Sequence, residues 1–429
     1  MQQLSFYFCY MQLGLFFRKS KHIDSSQPLS RLAWKRLVSS KLNRAALWLL
    51  LASVIIAFLG YLIIPDSTPL ANRQFIEIGA QPPWFRANML KVTRNEIVEQ
   101  RNVLHRMLYG YRSQYHLIPY NDYHFEDDEI IIVEFDLYPG VMPREYRFSL
   151  ADVCFALSDE TIPQRIAGDS IHFTLVNGNT KTASISDLRK KVEDNQLITK
   201  LFPLGTDRHG RDLMSQLVIG TRVSLSVGLI AVLISLVIGI IAGATAGYIG
   251  GRTDTFIVWL INVVWSVPTL LLVIAITFAL GKGFWQVFVA VGLTMWVEVA
   301  RVVRGQVISL RNKEFVEAAR ALGVKSRQII VRHILPNVMG PVIVISAANF
   351  ASAILIEAGL SFLGIGVQPP MPSWGNMIRD NYAFLILGKP WLSLIPGLAI
   401  MLMVLILMII GNGLRDALDI RTIERMHGT

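Results

Sequence analysis

A chain of 429 residues in which 52% are hydrophobic and only 17% charged is too apolar for an ordinary soluble protein. The formal charge of +10 does not point to a nucleic-acid partner: segment 65–221 is nearly balanced, with 17 basic and 21 acidic residues, and the excess lies beside long apolar runs, where it sets orientation. Two cysteines, Cys9 and Cys154, imply no disulfide framework.

Apolar runs of about twenty residues predict an all-α polytopic membrane protein with about six transmembrane helices, at 45–64, 223–247, 255–279, 284–303, 339–360 and 391–413. Lys and Arg divide unevenly between the flanking segments. Eight lie in the N-terminal tail, one at Arg252, eight in 301–338 and three in the C-terminal tail, against only Lys282, Arg379 and Lys389 on the other side. The asymmetry predicts that the basic tail 1–44, the loop 305–338 and the tail 414–429 are cytoplasmic, and that segment 65–222 lies outside.

The first seventeen residues hold an apolar run of about fourteen, too short to span and lacking the flanks of a cleavable signal peptide; a start codon assigned too early is one account of it. Residues 29–44 put Leu29, Leu32, Ala33, Leu37 and Val38 near one face, as in an interfacial helix lying on membrane lipid before the first span. Segment 65–222 has soluble composition and is long enough for an inserted α+β domain. Within it, 88–108 reads as helical, Glu129 to Tyr138 as a strand, and 171–185 as a hairpin turning at Asn177-Gly178, with Ser186 capping a helix after it. His105, His116, His124 and His172 lack ligand-like spacing, so no metal site is expected, and no catalytic motif stands out.

From Pro203 to Gly228 runs PLGTDRHGRDLMSQLVIGTRVSLSVG, where Gly205 and Gly210 permit tight turns around Thr206, and Asp207, Arg208, Arg211 and Asp212 can pair at the membrane surface. Gly239, Gly243 and Gly247 recur every four residues and predict close helix packing more than a pathway. Pro268 should kink the third span. Glu298 and Arg301, three apart on the fourth span, suit an intrahelical pair. Glu357, deep in the fifth, is the acidic residue placed to matter to transport. After it, LSFLGIGVQPPMPSWG, with Leu360, Ser361, Phe362, Leu363 and Gly364 leading to Trp374 and Gly375, reads as a re-entrant or tightly folded loop at the outer mouth.

Between the fourth and fifth spans lies the polar stretch EAARALGVKSRQIIVRHILP, Glu317 to Pro336. It reads as two short helices with a hinge. The first has Asn312 as its N-cap, Glu314 and Glu317 in its opening turns and Gly323 as its stop; the second runs from Ser326 to before Pro336. Alanines 318, 319 and 321 leave the first helix thin, and Phe315 and Leu322 offer apolar anchors, as in a docking helix; an amphipathic connector on the membrane surface is the alternative.

With this spacing, Glu317, Ala318, Ala319, Gly323, Ile334, Leu335 and Pro336 resemble the EAA loop of the membrane subunits of ATP-binding-cassette (ABC) importers, with His333 where the pattern usually has isoleucine. Pro203–Gly228, Ala246–Asp254, Leu360–Gly375 and the closing GNGLRDALDIR, 411–421, are similar to the C-type permease subunit of dipeptide, oligopeptide and nickel importers. Asn262, Asn412 and Ile420 stand where that family commonly has an acidic residue, Asp and Pro. The resemblance covers about 220 residues and the first span, and leaves out the outer domain.

It implies a type I ABC importer permease fold, a second permease subunit, two ATPase subunits docked on the EAA-like loop, an extracytoplasmic substrate-binding protein, and alternating access. ATP and Mg would be used by the ATPase subunits, with no cofactor on this chain and no catalytic residue of its own. Consistently, neither Gly281-Lys282-Gly283 nor Gly323-Val324-Lys325-Ser326 has phosphate-loop spacing. Peptide is the family's majority substrate and nickel its minority one; no histidine or cysteine falls in a predicted span to relay a soft metal. The rivals are an ion-coupled secondary transporter, with Glu357 its lone candidate, and a scaffold whose working part is the outer domain.

Overall fold

The computed structural model describes residues 29–98, 102–135, 143–158, 164–166, 169–281 and 283–418; the apolar run at 1–17, Cys9 and the tail from 419 lie outside them. In helix α1, Leu29–Ser39, Ala33 and Leu37 of the predicted apolar face are buried against Leu414, Ala417 and Leu418, so this part of the face packs on protein where lipid was expected; the side chains of Leu29 and Leu32 lie outside the described ones. Ser40 is extended and its Oγ accepts from Asn43 N, which starts α2, Lys41–Ile63, as a separate element.

The inserted segment is an α+β unit with two antiparallel sheets. In chain order it contains β1 (Phe85–Thr93), α3 (Val103–Tyr109), β2 (Tyr115–Glu126), β3 (Glu129–Glu134), β4 (Glu145–Ser149), α4 (Leu150–Cys154), β5 (Gln164–Ile166), β6 (Ser170–Thr174), β7 (Thr180–Ser184), α5 (Ile185–Lys191) and β8 (Leu197–Phe202). The larger sheet has the order β4-β3-β2-β1-β8 and the smaller β5-β6-β7. The expected helix over 88–108 is corrected: its first part is strand β1, and only Val103–Tyr109 is helical. Ala87 and Met89 pack into one cluster and Leu90 and Val92 into another, so the strand is buried on both faces and its apolar run carries no period-two signal. The hairpin β6–β7 turns where expected, with Gly178 at φ 82°. Helix α5 begins earlier than predicted, after Ser184, whose hydroxyl bonds Asp169 Oδ2.

Cys154 sits in the insertion's main cluster beside Leu188, and burial pushes its thiol up to about 11. In a Cys9→Ser background, a maleimide at pH 8 is therefore expected to leave the folded protein unlabelled and to label it fully in SDS. Rapid labelling without denaturant would refute the packing of α4.

Five further stretches build the apolar core: α6 (Leu213–Ile249), the pair α7 (Gly251–Trp265) and α8 (Thr269–Leu280), α9 (Phe284–Leu310), α11 (Ser326–Phe362) and α13 (Trp391–Leu418), with α10 (Glu314–Ala321) and α12 (Trp374–Asn381) in the connections. Counting the bent pair as one, six stretches among the described residues are long and apolar enough to cross a membrane. Their ends depart from the predicted spans for local reasons. Asp212 accepts from Ser215 N at 2.9 Å and starts α6 ten residues ahead of the predicted 223. The third span is broken, bent by 93° at Ser266–Pro268, because proline lacks an N–H and keeps the preceding residue out of the helical region. The expected stop before Pro336 does not occur: a wider turn at Ile330–Ile334 loosens the hydrogen-bond ladder ahead of the proline, and the helix continues to Phe362.

The glycine stripe on α6 packs as predicted. A Cβ at Gly239 would lie 2.6 Å from Val299 Cβ, one at Gly243 2.4 Å from Ala300 O, and one at Gly247 2.9 Å from Arg304 O, so α6 and α9 cross in backbone contact.

Candidate functional site

The predicted site residues fall at the two ends of the core. At the end away from the insertion, α9 leads into α10. Its N-cap is Lys313, not Asn312, and makes no side-chain capping bond; Glu314 and Glu317 occupy the first turn. At the other end Gly323 has φ 73°, its N–H donates to Arg320 O at 3.0 Å, and Val324 N donates to Ala319 O at 3.1 Å. These are the two bonds of a Schellman stop, and the left-handed residue it needs explains the glycine. Nothing lies within 4 Å of a Cβ there, so backbone conformation alone makes the demand.

The two alanines have different surroundings. Val316 and Ala319 are buried in a cluster with Val303, Val307, Ile329, Ile334 and Val338, which ties α10 to both α9 and α11. Phe315, Ala318 and Leu322, at i, i+3 and i+7, form an exposed stripe, with Leu322 83% exposed and Glu317 beside it. Ile334 is fully buried, Leu335 half-buried and Pro336 exposed; His333 is only half-buried, so Ile334 fills the inward place. A groove of ≈ 750 Å³ opens between α6 and the start of α11, away from the stripe, lined by Ala244, Tyr248, Arg320, Arg327 and Ile330 among others, with the Arg320 guanidinium 5.8 Å from the Tyr248 ring.

Charges near this end pair otherwise than predicted. No ion pair forms between Glu298 and Arg301: Arg301 stacks 3.5 Å over the Trp265 ring, at the break in the third span, and Glu298 is exposed. The tight pair is Arg304–Asp254, with two bonds of 2.5 and 2.6 Å fastening the first turn of α7 to α9. Sequence reasoning missed it because the partners are fifty residues apart.

At the insertion's end, the motif residues form one network. Gly205 and Gly210 have φ 81° and 71°. Thr206 Oγ1 donates to Ile78 O at 2.5 Å and accepts from Gln81 N; Ala80 N donates to Asp207 O and Phe75 N to His209 O, clamping the insertion's first segment onto the core. Of the four charged residues expected to pair together, Asp207 and Arg211 do so at 2.6 Å, while Asp212 caps α6 and Arg208 reaches Asp380 instead. Arg211 also reaches Asp380, which joins this loop to α12. Arg208 Nε donates to His209 Nε2 at 2.8 Å, a bond that needs a neutral ring nitrogen, and burial holds that imidazole below its usual range. Asp66 was also missed: its carboxylate takes Thr68 N, Thr68 Oγ1 and Arg73 N, and its own N–H donates to Ser215 Oγ.

The outer loop is tightly folded around α12. Trp374, 3% exposed, donates from Nε1 to Leu217 O at 3.0 Å and covers Gly220; Gly375 lies against Ala358, where a Cβ would be 2.4 Å from its carbonyl. Leu360 and Ser361 are buried, Phe362 and Leu363 exposed, and Gly364 has φ 77°. Glu357 is fully buried within the chain. Ser361 Oγ donates to its Oε1 at 2.7 Å and accepts from Val367 N at 3.1 Å, so this carboxylate holds the root of the outer loop.

Among the described residues, six apolar stretches, one of them broken, with a two-sided helix between the fourth and fifth, have the length and composition of a multi-pass membrane protein. Residues 227–424 match the family described as binding-protein-dependent transport system inner membrane component. Over 215 residues the chain is 45% identical to the oligopeptide transport system permease protein OppC of Haemophilus influenzae, covering 50% of this chain and 69% of that protein. It is likewise 45% identical to the dipeptide transport system permease protein DppC of Alkalihalophilus pseudofirmus, covering 50% and 70%. The chain belongs to this family, as a permease subunit of an ABC importer. Among solved structures it is similar to the inward-facing MetNI methionine ABC transporter, with a TM-score of 0.41 and 18% identity over 48% of this chain and 98% of that one. The insertion lies outside the family match.

Proposed function

We propose that this chain is the peptide-translocating permease subunit of an ATP-driven importer in the plasma (bacterial inner) membrane. Both termini and α10 face the cytoplasm and the 65–222 insertion faces outward, as the distribution of basic residues supports. It pairs with a second permease subunit, engages two ATPase subunits, and takes substrate from an extracytoplasmic binding protein. ATP and Mg belong to the ATPase subunits. The peptide assignment rests on relatives whose names specify oligopeptide and dipeptide transport.

The observation that carries the coupling role is the two-sided helix α10. Val316 and Ala319 fix it to α9 and α11, while Phe315, Ala318 and Leu322 stay exposed for a partner. A push on the stripe is transmitted to both spans through the buried cluster, because a packed core moves as a body. Closure of the ATPases thus becomes a displacement of α9 and α11, and the path opens alternately to each side.

The test is co-purification of the tagged chain from gently solubilised membranes, wild type against Glu317→Arg plus Gly323→Pro. Proline cannot adopt the φ of 73° at 323, and the arginine reverses the charge beside the stripe. The ATPase subunit is expected with the wild type and lost from the variant, while the second permease subunit stays in both. Absence of an ATPase from the wild-type preparation would overturn the proposal.

A further inference from the structure

The short helix α3 shows a feature that neither the family nor the importer role accounts for. It has no buried residue: Val103 is 64% exposed, Leu104 70% and Leu108 44%, and with Met107 these occupy one face, with Arg106 on the other. A soluble domain has no reason to turn such a face to water. The position of the helix supplies one.

Arg222 of α6 makes four bonds to main-chain carbonyls. Its Nε donates to Ala57 O and its Nη2 to Phe58 O at 2.8 Å, both on α2; the same Nη2 donates to Met107 O at 2.6 Å, and Nη1 to Leu108 O at 2.7 Å. One guanidinium therefore holds the C-terminal end of α3 level with Phe58. Phe58 stands five residues before the end of α2 at Ile63, about 7.5 Å of helix rise. The chain continues along α2, with Gly110 against the Tyr61 ring and Tyr111 N donating to Ser67 O. The apolar face of α3 thus lies beside the exposed apolar surface of α2, where Phe58, Leu62 and Ile63 are 58%, 52% and 53% exposed.

The carbonyls provide the second argument. The last C=O groups of a helix have no partner within it, and in water solvent would serve them. Here Arg106 O takes Gly110 N, and Met107 O and Leu108 O take Arg222, so three of these groups are satisfied by the protein itself, as proximity to lipid favours.

We propose that α3 is a membrane anchor of the insertion, lying in the interface of the leaflet on the insertion's side with Val103, Leu104 and Leu108 among the lipid chains. An interfacial helix sinks about 5–10 Å into that boundary, which matches the depth set by Phe58. The anchor keeps the insertion from swinging about its connections.

The test uses the full chain in liposomes, with Cys9 and Cys154 replaced by alanine and a nitroxide label at Leu104, or at Val103 on the same face. Labels at Leu62 on α2 and Thr180 on the β6–β7 hairpin give the lipid and water references. At 103 and 104 the ratio of collision with oxygen to collision with a water-soluble nickel chelate is expected to match that at Leu62 and to exceed that at Thr180 several-fold. A ratio matching Thr180 would overturn the proposal in favour of solvent. Protection from both reagents would overturn it in favour of a protein contact.

Discussion

Gly210→Ala is expected to unseat the insertion from the core. A Cβ at this position would lie 1.6 Å from Phe75 O and 2.4 Å from Phe75 C, both main-chain atoms that no rotamer change can move aside. The residue also has φ 71°, which costs an L side chain about 1–2 kcal/mol on its own. Gly178→Ala isolates that second cost, since Gly178 has φ 82° and nothing within 4 Å of a Cβ. The clash at Gly210 must be relieved by moving the segment that includes Phe75, the helical turn Ile76–Ile78, Ala80 and Gln81. Each of these bonds to the 206–209 loop, so the bonds are lost together. The Gly178 variant is expected to lower the thermal midpoint of the detergent-purified protein slightly. The Gly210 variant should lose more than about 3 kcal/mol, in the range reserved for backbone strain and broken buried networks. Equal losses in the two variants would show that the close approach to Phe75 is not a constraint.

What could be read from the sequence and what could not divide along the range of the interaction. Span existence was legible because length and lack of charge suffice, and Gly323 was legible because only a left-handed stop explains a glycine between two helical patterns. Span ends were not, since they depend on which polar neighbour caps them: Asp212 through Ser215 extends α6, whereas Asn312 is passed over for Lys313. Strand β1 was misread as helix because both its faces are covered, one by Phe75 and Ile78 and the other by Leu150 and Val153, which erases the alternation. The outer motifs were recognised separately, but that they meet was invisible: Arg211 and Asp380 are 169 residues apart, and Trp374 and Leu217 157. Glu357 invited a transport role because a carboxylate in an apolar run is costly. Its partner Ser361, one turn away, was in plain view, but the Val367 N–H that completes the arrangement depends on how the loop folds back.

Replacing Arg211 alone by methionine is expected to cost more than replacing Arg211 and Asp207 together. Asp207 is 2% exposed and Arg211 8%, and their 2.6 Å contact is the charge pair of the outer network. With Arg211 gone, Asp380 keeps Arg208 and Arg379, but the Asp207 carboxylate keeps only the main-chain N–H groups of residues 209 and 211 on Oδ1. A buried carboxylate stripped of its counter-charge costs about 3–5 kcal/mol, whereas a neutral pair of similar volume is close to neutral. In Asp207→Asn plus Arg211→Met, the asparagine carbonyl still accepts those two N–H bonds, and no charge is left buried at 207. The cycle formed by the wild type, the two single variants and the double variant should therefore show a coupling of at least about 3 kcal/mol in magnitude, read from thermal or denaturant midpoints. Strict additivity would mean that water reaches Asp207 and that the cluster is a surface cap. A coupling of this sign would instead make it the joint that holds α6, α12 and the insertion as one body, so that the outer end of the second span cannot move without carrying the insertion with it.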